Sequence, residues 1–198
     1  KVGPQQKLVV YFGFVNRAKG LEALLHAHDG LLRAGQPVLV IMAGDPLGAS
    51  DPSNAEYLAE IQELASNLNL NPPWLQWTGD LSEEELIQAI LAADLIALPF
   101  REGASLRRST LIMPLSLGQA VLTTKPKTPI PFLKHKENIA FARRDEPSDF
   151  AREMALLLRY DPSLQRLQRG AKALKQHFDW GSIAQDYVEV YEKVSGVA

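Results

Sequence analysis

The chain has no cysteine and only three methionines and four histidines in 198 residues. Without cysteine there is neither a disulfide framework nor a thiolate metal site, so the fold must rest on its core and hydrogen bonds, as in cytoplasmic proteins, the expected location. Charge of one sign is also missing. The 21 basic and 23 acidic residues leave a formal net charge of −2, which gives no concentrated basic face for nucleic acid. Long apolar runs are absent too: Leu86 to Leu98 is broken by Gln88 and Asp94 and falls short of the roughly 20 residues that a spanning helix needs. No Gly-x-x-x-x-Gly-Lys, Gly-x-Gly-x-x-Gly or Asp-x-Asp sequence occurs, so the triphosphate, dinucleotide and divalent-metal signatures are unmet. His26, His28, His135 and His177 stand in no metal-ligand spacing and read as surface or packing residues. No metal and no further cofactor is expected.

What the chain does have is regular alternation. With 46% hydrophobic and 22% charged residues its composition is that of an ordinary globular protein. Lys1 to Gln6, containing Gly3 and Pro4, reads as a linker or the edge of a longer chain, and residues 7–198 read as one domain. Strands are expected at Leu8–Phe12, Val38–Met42, Trp74–Trp77, Leu95–Leu98, Ala120–Thr123 and Asn138–Ala142. Between them, apolar residues recur at helical spacing over Lys19–Ala34, Ser53–Leu68, Ser82–Ala92 and Ser105–Leu117. Ser82 with Glu85 forms a capping box, and Pro114 should kink the helix that contains it. Three further helices, Ser148–Tyr160, Pro162–Phe178 and Ser182–Val194, close the chain. Trp74, Trp77 and Trp180 read as core. Strands alternating with helices predict an α/β fold with a parallel sheet of about six strands flanked by helices and a C-terminal helical extension.

In such sheets ligands sit beyond the carboxyl ends of the strands, which directs attention to the loops Gly13–Lys19, Gly44–Asp51 and Pro99–Ser105. The first places a glycine after a strand and two cations, Arg17 and Lys19, before a helix. Helix amides and a cation together suit a phosphate, although a tight turn carrying solvated cations is an equally good reading. The third loop leads into a helix expected to start at Ser105, with that serine as its cap and Arg107 and Arg108 in its first turn. Cations are unfavourable at a helix N-terminus, so the pair is better explained by an anionic ligand than by a solvated face.

Five segments, in this order, resemble the C-terminal domain of retaining glycosyltransferases of the GT-B architecture, glycosyl transferases group 1. They are Tyr11 to Gly20, Ile41 to Asp45, Trp77 to Leu86, Ala92 to Phe100 and Gly118 to Thr124. The resemblance implies a Rossmann-like domain that binds a nucleoside-diphosphate-sugar donor, UDP or GDP, without metal. A preceding domain outside these residues would bind the acceptor. That missing half would also supply any peripheral membrane association. In the full-length protein the resemblance implies an enzyme, while these residues alone would not turn over.

It further implies catalytic roles for Lys19 and Glu102, and donor contacts from Gly13, Asn16, Arg17, Lys19, Gly103, Ser105, Arg107, Arg108, Ser109 and Thr110. Phe14 stands where the family's arginine usually follows the glycine. The family's two glutamates with seven residues between them are not both kept: Glu102 leads to Thr110, and counting back from Gly118 gives Ser105 and Met113. A branch carrying Gly-x-Ser-x-Arg-Arg fits better, here Gly103, Ser105, Arg107 and Arg108. Two rival readings are a non-catalytic binding or scaffold domain and a sugar epimerase of the same plan; no acid/base residue supports the epimerase.

Overall fold

In a computed structural model, residues 6–47 and 52–196 are described. Residues 1–5 of the expected linker, residues 48–51 of the second loop and the last two residues lie outside them. The elements are β1 (Lys7–Phe12), α1 (Leu21–Arg33), β2 (Val38–Ala43), α2 (Pro52–Asn67), β3 (Leu75–Trp77), α3 (Glu83–Ala92), β4 (Leu95–Leu98) and α4 (Ser109–Ser116). They continue with β5 (Val121–Thr124), β6 (Ala140–Ala142), α5 (Pro147–Arg159), α6 (Asp161–Ala173) and α7 (Trp180–Ser195).

Six parallel strands form one sheet in the order β3-β2-β1-β4-β5-β6. This is a Rossmann-like order. Val9 pairs with Val40 on one side and Leu95 on the other. Helices cover both faces, so β1, β2 and β4 are apolar almost throughout, with Val9, Val10, Val40, Ile96 and Leu98 fully buried. The order reverses between β1 and β4, the place beyond the carboxyl ends of the strands where sheets of this kind bind their ligands.

The capping box is present: Ser82 Oγ accepts from Glu85 N at 3.2 Å, and Glu85 Oε2 accepts from Ser82 N at 2.9 Å. The helix expected from Lys19 begins later, at Leu21. Arg17–Lys19 forms a separate 3-10 turn ended by Gly20, whose φ is +65°. Gly20 has no side chain with which to cap α1, and the Tyr57 hydroxyl from α2 accepts from Leu21 N instead. A Cβ at Gly20 would stand 2.4 Å from the Pro99 carbonyl oxygen, so glycine is required both for backbone conformation and for the approach of the two loops.

Three other expectations change. The helix after β4 starts at Ser109, not Ser105, because Ala104 N donates to Thr124 O and Ser105 Oγ accepts from Arg107 N, which holds this segment outside helical geometry. The helix expected to run to Phe178 stops at Ala173, and a 3-10 turn over Lys175–His177 precedes α7. Trp74 and Trp77 are half-buried, but Trp180 is 82% exposed because no residue of α7 is buried. Pro114 lies in the last turn of α4, where it removes a single intrahelical amide.

Candidate functional site

β1 is followed by Gly13, whose φ of +104° suits glycine. A Cβ there would come within 2.8 Å of Thr110 Cγ2, in the first turn of α4. The loop after β1 therefore lies against the start of α4, across the strand-order reversal. The following 3-10 turn has three residues per turn, so Arg17 and Lys19 point in different directions. Arg17 turns outward, donates to Glu60 at 2.5 Å and lies 5.2 Å from the Tyr57 ring centroid. Lys19 turns inward.

Lys19 is only 9% exposed and has no hydrogen-bonding or ionic partner for its ammonium among the described residues. Its Nζ stands 5.1 Å from the Phe100 ring centroid. Arg108 Cζ stands 4.5 Å from the same ring, which is fully buried. The aromatic face attracts both cations and offsets part of their desolvation. The rest of that cost remains: burial first, and then the nearby Arg108 charge, push the Lys19 ammonium down to about 8.

The loop after β4 is fixed at several points. Arg101 donates its amide to Ala18 O and its guanidinium to Glu22 at 2.8 Å, tying the loop to α1. Arg108 donates to Glu102 Oε2 at 2.9 Å. Arg108 is also the residue that caps α4, with extended backbone (φ −101°, ψ 106°), so Arg107 and Arg108 precede the helix rather than occupy its first turn. Arg108 folds inward over Phe100, while Arg107 is exposed. Ser109 and Thr110 are the first two residues of α4, where amides lack intrahelical acceptors. Thr110 Oγ1 is buried with no hydrogen-bond partner.

A cavity of about 540 Å³ opens between these loops. It brings together Gly13, Lys19, Arg107, Arg108, Ser109 and Thr110, six of the residues expected to touch a donor, and Phe14 lies on the same wall. An adjoining cavity of about 680 Å³ holds Glu102, Gly103 and Ser105 and shares the two arginines. Neither cavity includes Asn16 or Arg17; Arg17 is engaged with α2, and Asn16 Oδ1 is buried without a partner.

Sequence reasoning pointed to the loop that begins at Gly44 but named neither Asp45 nor Asp80, which line the other end of the first cavity. These follow β2 and β3, where Gly44 N donates to Thr78 Oγ1 and Gly44 bridges to Gly79. It also missed Phe100, whose role depends on β4 lying beside β1. Among the described residues, no group of three or more histidines and carboxylates gathers as a metal site would require.

A charge-poor pocket would hold a neutral molecule; this one has a buried, unpartnered ammonium, an arginine and free helix amides on one wall, and so suits a polyanion. The family model for glycosyl transferases group 1 matches residues 2–174. A glycosyltransferase from Rickettsia africae superposes with a TM-score of 0.80 at 16% identity, over 99% of this chain and 50% of that one. Anabaena HepE, solved in complex with UDP and glucose, gives 0.77 at 20% identity over 96% and 49%. The C-terminal domain of LpcC, a glycosyl transferase group 1 family protein from Francisella tularensis, gives 0.70 at 15% identity over 85% and 83%. The chain thus spans about half the length of the first two, and at these identities the likeness is one of fold. No curated protein sequence matches it.

Proposed function

Because this chain belongs to the glycosyl transferases group 1 family, we propose that it binds a nucleoside-diphosphate-sugar donor, with the diphosphate held between Lys19 and the start of α4. The observation that carries this reading is Lys19, nine-tenths buried and without an anionic partner. An ammonium taken from water costs free energy unless a counter-charge meets it. A diphosphate beside Phe100 would supply that charge to Lys19 and Arg108 at once and remove their mutual repulsion.

The same placement serves the reaction. When the bond between the sugar and the diphosphate breaks, the leaving nucleoside diphosphate gains a negative charge. Lys19, Arg108 and the amides of Ser109 and Thr110 attract that charge more strongly than the intact donor, so they lower the barrier. Glu102, held by Arg108 at the mouth of the adjoining cavity, lies on the sugar side. Transfer proceeds with retention, and the acceptor is bound by a domain outside these residues; this chain alone binds donor but does not turn over. Its place in the cell is the cytoplasm, and among the described residues no helix is long and apolar enough to cross a membrane.

Calorimetry of the chain with UDP, GDP and ADP tests the reading. Binding of UDP or GDP that collapses in Lys19→Ala is the expected result. Silence toward all three would instead favour a scaffold domain, a reading that Phe14 in the family's arginine position also favours.

A further inference from the structure

The adjoining cavity has a charge pattern that a diphosphate does not account for. Its two walls are the segment Glu102–Arg108 and the segment Lys127–Ile130 after β5. They are pinned together: Ala104 N donates to Thr124 O at 3.0 Å, and Gly103, with a φ of +88°, leaves room for the Lys125 carbonyl, which would lie 2.4 Å from any Cβ there. Three cations, Arg107, Arg108 and Lys127, line the cavity together with one carboxylate, Glu102. That carboxylate already accepts from Arg108. Arg107 and Lys127 have no ion-pair partner among the described residues.

A neutral hexose needs no cation, and here Arg107 and Lys127 stand in the lining with no carboxylate paired to them among the described residues. Resting on the donor reading above, we propose that the substrate carries a second oxyanion beyond the diphosphate, a carboxylate or a phosphate, held between Arg107 and Lys127. The diphosphate is met by Lys19, Arg108 and the α4 amides in the first cavity; the second oxyanion is met in the other. Two sources share this chemistry. It is either the carboxylate of a uronic acid on the donor or a phosphate on the acceptor.

Calorimetry of the 198-residue chain separates them. UDP-glucose is compared with UDP-glucuronate, which differ only in the carboxylate; if GDP is the tighter nucleotide, GDP-mannose and GDP-mannuronate replace them. Inorganic phosphate is then titrated into protein saturated with UDP or GDP. A donor-borne oxyanion predicts about tenfold tighter binding of the uronate, the scale of one charge-assisted hydrogen bond. An acceptor-borne one predicts parity of the two sugars and millimolar phosphate binding to the nucleotide-loaded protein. In either case Lys127→Glu should abolish the effect and Arg107→Ala should weaken it; Lys127 is exposed, so folding is preserved, which circular dichroism verifies. Nucleotide binding with neither effect overturns this inference alone, as does phosphate binding that survives Lys127→Glu, which marks an adventitious ion only. Absence of all nucleotide binding overturns the donor reading and this inference with it.

Discussion

The two ends of β1 treat a lysine in opposite ways. At the amino end, Lys7 donates to Asp94 at 3.2 Å and reaches Asp161 at 2.7 Å. The hydrogen bond to Asp161 leads a set of attractions that hold its ammonium above the usual lysine value, against a smaller desolvation. Beyond the carboxyl end, Lys19 is more deeply buried, meets no carboxylate, and sits beside Arg108. One end closes its electrostatics within the chain and serves as a fastening. The other leaves them open, at a cost in stability, which is what a binding site for an anion requires.

The largest effect should come from breaking the closed end. Asp94 accepts from both Lys7 and the Leu8 amide, the latter at 2.8 Å, so Asp94→Ala should cost about 2 to 3 kcal/mol in urea unfolding and leave nucleotide affinity alone. The open end should answer in reverse. Lys19→Ala should weaken UDP or GDP binding by about 1 to 3 kcal/mol, with stability unchanged or improved because an unpaired buried charge is gone. Lower stability at equal affinity would make Lys19 a structural residue.

Titration sharpens the contrast. Lys19 is pushed down to about 8 in the folded state, while in the unfolded chain it titrates near 10.4. The unfolded chain therefore binds more protons between those values, and stability should rise with pH across that window. Lys7 is raised, so its contribution is present below the unfolded value and is lost above it. Lys19→Met should erase the rise. A bound diphosphate restores the proton, so donor affinity should fall as pH climbs through about 8, with proton uptake visible in buffers of different ionisation enthalpy. The smallest effect belongs to Arg17→Ala. Its guanidinium is committed to Glu60 on the surface, and neither melting nor binding should change measurably.

Strands and their alternation with helices were legible because burial on both faces writes apolar runs such as Leu39 to Met42 directly into the sequence. The sheet order was not, since it depends on which strands pair rather than on any local pattern. Phe100 illustrates the consequence. Its ring, which Arg108 of the same segment covers, also meets Lys19 only because β4 pairs with β1. Lys19 could be singled out from its place before a helix and from the family resemblance, but Arg17, two residues earlier, was expected to touch the donor as well, and only the 3-10 turn shows that the two point in different directions. The start of α4 was misread because Leu106, Arg107 and Arg108 are good helix formers, while the hydrogen bond from Ala104 to Thr124 that keeps this segment out of the helix comes from a distant strand.

α7 was described above by what it does not bury. In the language of time, we expect this to make it the helix that opens most often among the described residues when they stand alone. Its sixteen residues are capped by Asp179, which accepts from Ser182 N, yet none of its side chains is buried against the sheet to hold it. A helix of that length without packing is marginal in water. Its amide protons should exchange with solvent orders of magnitude faster than those of β1, which open only when the whole sheet does.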